Sequence, residues 1–195
     1  MKKYEYPIYA KLIHLGLAVF GITAYLTSEF ADDDVISIGY LLHSYLGLSV
    51  AAIITLRFLV GIATQGPLSF KSWSPFSIKQ WRLALDDFRT LLSLKVPERE
   101  IHQGLSGITQ AFGLLIFTWM SLTGIALFML GSNTESNVFE FIEEVHEIGE
   151  TLIPLYLFLH VGAVALHMLC GKPIWKEMFK FKKIIVVKIR GFCDV

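Results

Sequence analysis

The sequence predicts an all-α membrane protein, a four-transmembrane-helix up-and-down bundle, and three observations carry that prediction. Hydrophobic residues make up 54% of the 195 residues and mean hydropathy is +0.57, against roughly 45–50% apolar content in ordinary soluble domains. The excess is gathered into four blocks, each long enough to cross about 30 Å of hydrocarbon as a helix. The basic residues fall on one side of those blocks and the acidic ones on the other.

The first block runs from Ile8 to Thr27. It is long enough to span, and no small-residue cleavage site follows it, so it is expected to stay in the mature protein rather than serve as a signal peptide. A short link, Ser28 to Asp34, leads to the second block, Val35 to Ala63. The longer link Thr64 to Gly107 leads to the third, Ile108 to Leu130, and Gly131 to about Glu150 leads to the fourth, Thr151 to Cys170. The helices are expected to extend beyond these limits. Inside the long link Pro67 and Pro75 interrupt the chain, after which Ile78 to Leu94 repeats Trp81, Leu85, Phe88 and Leu92 at helical spacing. That pattern predicts a short amphipathic helix on the cytoplasmic membrane surface. Residues 1–172 thus form the transmembrane domain and 173–195 a basic cytoplasmic tail, whose Trp175, Phe179 and Phe181 among lysines suit an interface rich in anionic lipid.

Charge orients the bundle. All of the 17 basic residues except Arg57 fall in the N-terminal segment, the long middle link or the tail, from Lys2, Lys3 and Lys11 through Lys71, Lys79, Arg82, Arg89, Lys95 and Arg99 to Lys172, Lys176, Lys180, Lys182, Lys183, Lys188 and Arg190. The opposite face carries Glu29, Asp32, Asp33, Asp34, Glu135, Glu140, Glu143, Glu144, Glu147 and Glu150. By the positive-inside rule both termini are cytoplasmic. An acidic outer face suits a basic soluble partner such as a c-type cytochrome, or merely fills loops from which lysine and arginine are excluded.

Several functions are excluded by what is missing. There is no phosphate loop, no Ser-His-Asp arrangement, no soluble catalytic domain and no nucleic-acid-binding pattern. Cys170 and Cys193 make no motif, so neither a disulfide nor an iron–sulfur cluster is expected.

Ionisable groups inside a bilayer are costly, so each is a functional candidate. His14 lies near the cytoplasmic end of the first block and His43 near the outer end of the second. On the last helix His146 lies near the outer boundary and His160 deeper. Fourteen residues separate His146 from His160, about 21 Å of rise and just under four turns, so both imidazoles share one face. Depths match in pairs, His14 with His160 and His43 with His146. Such pairs suit two b-type haems, each iron held by imidazoles from facing helices. The alternative for each histidine is a polar group hydrogen-bonded across helices. Arg57 follows His43 by fourteen residues, on the same face and level with the inner pair, where a guanidinium could neutralise a haem propionate. Gly21, Gly47, Gly113 and Gly124 are candidates for close approach of a macrocycle, with helix packing as the plainer alternative. His102 and His167 lie at the cytoplasmic boundary, where each could contact a propionate, protonate a quinone or simply sit at the interface.

These motifs resemble the bacterial di-haem cytochrome b561 proteins and the related b-type cytochrome subunits of nickel–iron hydrogenases, thiosulfate reductases and formate dehydrogenases. The resemblance covers about residues 5–172. It is carried by HLGLAVFG at His14, HSYLGLSVAAIITLRFLVG from His43 through Arg57, the TG of Thr123 and Gly124, and HEIGETLIPLYLFLHVGAVALH from His146 to His167. PLSFKSWSPF followed by IHQGLSGITQ looks like the link and third-helix start of the hydrogenase-type branch, whose GHNP-like segment His102 and Gly104 match in part. The resemblance implies the same ligand pairs and electron transfer between the quinone pool and a redox partner. That partner would be an outer-face cytochrome c or a hydrogenase- or reductase-type subunit, and the chain either a stand-alone quinone oxidoreductase or a subunit of a respiratory complex. A homodimer is left open. The competing expectation, from another class, is a haem-free membrane anchor that docks a soluble redox enzyme.

Overall fold

The computed structural model describes residues 5–30, 37–93, 95–97, 99, 102–131 and 136–180. Lys2, Lys3, Asp32, Asp33, Asp34, Val35, Leu94, Glu135, Phe181, Lys182, Lys183, Lys188, Arg190 and Cys193 therefore lie outside the described residues. Among the described ones the regular structure is entirely helical. Four helices are long and apolar enough to span a membrane: α1 (Ile8–Thr27), α2 (Ile38–Ala63), α5 (Leu105–Leu130) and α6 (Asn137–Leu169). Between α2 and α5 come α3 (Phe70–Trp73) and α4 (Ile78–Leu92), and α7 (Lys176–Phe179) follows α6.

The first block is reproduced to the residue, while α6 begins fourteen residues ahead of the expected span. The predicted link from Gly131 to Glu150 is therefore mostly helix, and Glu140, Glu143, Glu144, Glu147 and Glu150 sit on α6 rather than in a loop. Ser136 starts it by accepting a hydrogen bond from the Phe139 backbone N–H at 3.1 Å. Glu140 in the first turn complements the helix dipole. Val138, Ile142, Val145 and Gly149 keep the helical period, but the glutamates between them dilute the hydropathy that marks a span.

α1 packs on α2, α5 on α6, and α2 on α5 through the centre. Neighbours run antiparallel: Ala24 of α1 meets His43 of α2, while Gly16 lies against Ile53. The buried core is small, with Val50, Ala51 and Ile54 of α2, Ile116 of α5 and Ile153 of α6. Large apolar side chains such as Val19, Leu56, Leu59, Leu122 and Phe158 point outward. That inside-out distribution suits a bundle whose solvent is lipid, where close packing and hydrogen bonds rather than the hydrophobic effect hold helices together.

The amphipathic helix expected at 78–94 is α4, two residues shorter, and its polar edge is the one that faces the protein. Gln80, Ala84 and Asp87 are buried, whereas Trp81, Leu85, Phe88 and Leu92 remain 53–69% exposed. Asp87, 2% exposed, accepts from the Leu105 backbone N–H at 3.0 Å and from Arg99 Nε at 2.6 Å. Gln80 Nε2 donates to the carbonyls of His102 and Gly104, at 3.0 and 3.2 Å. The first turn of α5 is thus capped by a side chain from another helix, because Gly104 at its N-cap has none to offer. Gly104 has φ +64°, and a Cβ there would collide with the Asp87 carboxylate.

Asp87→Ala removes the cap and leaves Arg99 without its carboxylate. The expected loss is about 1–3 kcal/mol of stability, read as a lower thermal midpoint by circular dichroism in detergent. Asp87→Asn, which keeps an acceptor for Leu105, is expected to lose less. An unchanged midpoint in Asp87→Ala would show that α4 does not organise the start of α5.

Candidate functional site

The last long helix supplies two imidazoles, fourteen residues apart, and each meets one from another helix. His43 of α2 and His146 of α6 have ring centroids 6.3 Å apart, and His14 of α1 and His160 of α6 have centroids 6.1 Å apart. The two pairs expected from depth are the two pairs that form. α6 is unbroken between them, even though Pro154 removes the bond residue 154 would otherwise give to the Glu150 carbonyl.

Each outer ring is oriented through its other nitrogen. His43 Nδ1 lies 2.9 Å from the Ala24 carbonyl, an acceptor only, so Nδ1 carries the proton and Nε2 keeps its lone pair. His146 Nδ1 lies 2.7 Å from Thr123 Oγ1, whose own proton goes to the Trp119 carbonyl at 2.9 Å. Oγ1 therefore accepts from Nδ1, and Nε2 of His146 is again left as a base. Trp119 Nε1 donates to the Val145 carbonyl at 2.9 Å, fixing α5 to α6 at this level. Gly124 lies beside this ring, where a Cβ would meet His146 Cε1 at 3.4 Å, about van der Waals contact.

The inner pair is built from aromatics. Tyr156, one turn before His160, stacks on it with centroids 5.6 Å apart and 19° between planes. Phe179 of α7 presents an edge to His14 at 6.3 Å, and Lys11 Nζ donates to the Lys180 carbonyl at 2.5 Å, tying the start of the tail to α1. Sequence reasoning missed both aromatic neighbours. The four-residue step from Tyr156 to His160 was a usable signal; nothing local marked Phe179.

These residues fit a metal held between paired imidazoles. Metal–imidazole nitrogen bonds are about 2.0–2.1 Å and the nitrogen lies about 1.2 Å from the ring centre, so rings on opposite sides of one metal have centroids about 6–6.5 Å apart. Both observed separations fall in that range. In addition, α6 packs tightly on α5 while its backbone stays back from α1 and α2 among the described residues. The imidazoles bridge that gap. Of the candidate glycines, Gly21 packs on Phe117 and Gly113 on Tyr156, so both serve helix contacts, whereas Gly47 opens onto free space one turn from His43.

Arg57, expected beside the inner pair, meets Phe70 and His102. Gly16 is level with Ile53, so Arg57, one turn further along α2, comes level with the start of α1 near His14. Its Nη1 and Nη2 are buried without an acceptor, and its guanidinium carbon sits 5.2 Å from the centre of the Phe70 ring. His102 lies beside this group rather than at an open interface. Its φ is +61°, a conformation that costs a non-glycine residue about 1–3 kcal/mol, and Gln80 holds its carbonyl there. Its ring stacks on Tyr6 at 6.2 Å and meets the edge of Trp73 at 5.9 Å. Burial, with the nearby Arg57 cation adding to it, pushes the His102 imidazole down to about 4. His167 is half-buried in the last turn of α6, seven residues beyond His160.

A family model described as prokaryotic cytochrome b561 matches residues 5–181. Neither a curated protein nor a solved structure gives a significant match.

In the haem-free protein His102 is expected to titrate near pH 4, seen as the imidazole Cε1 shift in histidine-labelled protein. Because the fold holds it neutral while the unfolded chain protonates it near its usual value of about 6.5, its contribution to stability is complete above that value. That contribution is lost as pH falls toward 4. Arg57→Gln should raise the midpoint only partly, since burial is the larger cause. A midpoint near 6.5 in the haem-free protein would contradict the burial of this ring.

Proposed function

The chain belongs to the prokaryotic cytochrome b561 family, whose members are multi-pass membrane proteins transferring electrons on b-type haem, and from that premise we propose that this chain carries two such haems. His43 and His146 would hold one, His14 and His160 the other. The observation that carries this reading is the pair of cross-helix imidazole contacts, at 6.3 and 6.1 Å, on helices whose backbones stand apart. Bound b-type haem takes up and gives off one electron at a time without covalent attachment.

The protein's own residues then have distinct tasks. Ala24 and Thr123 fix the Nδ1 protons of His43 and His146, which holds both rings in place and leaves each Nε2 neutral and able to serve as the nitrogen that would hold a haem. Tyr156 and Phe179 wall the inner pair with aromatic surface and keep water from it. Arg57, with a buried charge and no acceptor, supplies the cation a haem propionate needs. The two sites lie about 21 Å apart along α6, which spaces them across the hydrocarbon.

Orientation follows from charge: the end with Lys71, Lys79, Arg82 and Arg89 is cytoplasmic, in the bacterial inner membrane, and the glutamates at the start of α6 are outside. Electrons pass between the quinone pool and a redox partner. The acidic first turns of α6 suit either a basic c-type cytochrome or a partner subunit of hydrogenase or reductase type. The exposed apolar edge of α4 suits the inner lipid surface.

Pyridine haemochrome analysis of protein expressed with ample haem is expected to give two haems per chain. His43→Ala or His146→Ala should reduce this to one, as should His14→Ala or His160→Ala, with the helical content retained. Unmodified protein without haem absorbance would instead favour a haem-free anchor.

A further inference from the structure

Three side chains with buried, unpartnered nitrogens lie next to one another at the basic end of the bundle, and their combined chemistry points to an occupant. Arg57 contributes Nη1 and Nη2, Trp73 its indole Nε1 and His102 its Nδ1, all of them buried and without a hydrogen-bond partner. Trp73 is 2% exposed. The groups are contiguous: Arg57 lies on the Phe70 ring, Phe70 meets the edge of Trp73 at 5.6 Å, and Trp73 meets His102 at 5.9 Å. They come from α2, from α3 and from the turn before α5, so the cluster exists only because the middle link folds back on the bundle.

That folding is specified in detail. Phe70 is seated where Gly61 leaves space on α2, since a Cβ at Gly61 would collide with its ring. His102 is held at φ +61° by the hydrogen bond from Gln80, on a helix that Asp87 clamps to α5. A left-handed backbone at a non-glycine residue persists only where surrounding structure over-determines it. Here the surroundings hold an imidazole against Trp73 and close enough to Arg57 to feel its charge.

A buried guanidinium beside an indole N–H calls for an acceptor that also carries negative charge. A neutral carbonyl would satisfy one or two donors and leave the charge uncompensated; a carboxylate answers both needs. From the α1–α2 register Arg57 comes level with the first turns of α1, which puts the cluster at about the depth of the inner imidazole pair. We propose that Arg57, Trp73 and His102 form a carboxylate cradle for the propionates of the inner haem, so that the middle link helps hold that haem and set its potential. This rests on the two-haem reading above and assigns to Trp73 and His102 a positioning role in it.

The test uses the full-length, haem-loaded protein with haem carrying ¹³C at the propionate carboxyls. Trp73→Phe keeps the ring against Phe70 and removes only the N–H. It is expected to shift the propionate carboxylate bands of one haem in the reduced-minus-oxidised infrared spectrum. It should also move one of the two steps in a redox titration to more negative potential, leaving the other in place. Arg57→Lys, which keeps the charge and loses the fork, should shift the same bands with a smaller change in potential, and it serves if Trp73→Phe does not accumulate. His102→Phe should move the same step. Unchanged bands and potentials in haem-replete Trp73→Phe overturn the inference, as does a variant that alters only the quinone dependence of turnover, or one that moves both steps equally. Unmodified protein lacking a b-type spectrum would refute the two-haem reading itself, which separates the two failures.

Discussion

Placing imidazoles inside a hydrocarbon slab is the constraint on which the bundle depends. A polar ring there must find partners, and each ring has two nitrogens to satisfy. In the outer pair one nitrogen of each ring is settled locally, by the Ala24 carbonyl for His43 and by Thr123 for His146, and the two rings meet across the helices at 6.3 Å. α6 accordingly leans on α5, through Trp119 and Val145, and holds back from α1 and α2. An ordinary apolar bundle would close that gap. Here the separation is kept and spanned by paired rings, the arrangement that ligation of a b-type haem requires.

The second constraint lies outside the membrane spans. α5 starts at a glycine with positive φ and no capping side chain, so its first turn is completed by Asp87, and the carbonyls just before it by Gln80. The helix carrying these residues must turn its polar edge inward. Its apolar edge is then left facing out, where a lipid surface suits it. The same docking fixes His102 in a strained conformation and brings it to Trp73 and Arg57. A link that looks like a tether in the sequence is therefore folded against α2 and the start of α5.

The large features were legible because each rests on a one-dimensional signal. Block length and hydropathy locate four spans, and the fourteen-residue step fixes which face His146 and His160 share. Matching depth then pairs them with His43 and His14. The start of α6 was obscured because five glutamates lie among its first fourteen residues, although Ser136 and the spacing of Val138, Ile142 and Val145 mark a helix. Gly21 and Gly113 sit on plausible faces but receive Phe117 and Tyr156, a distinction that depends on which side chain arrives from the next helix. Trp73 is not singled out by the sequence, and Phe179 reads only as an interfacial residue of the tail. Their neighbours, His102 and His14, lie far away in sequence, and only the fold of the link and the tail brings them near.

The central claim is that four imidazoles on three helices hold two metals in pairs. Near-infrared magnetic circular dichroism of the oxidised, unmodified protein tests it most directly, because the charge-transfer bands of ferric haem report the axial ligands without any substitution. Two low-spin haems, both with bis-imidazole bands, are the predicted result. A high-spin haem, a thioether or thiolate band, or intensity for a single low-spin haem would contradict the pairing of His14 with His160 and of His43 with His146.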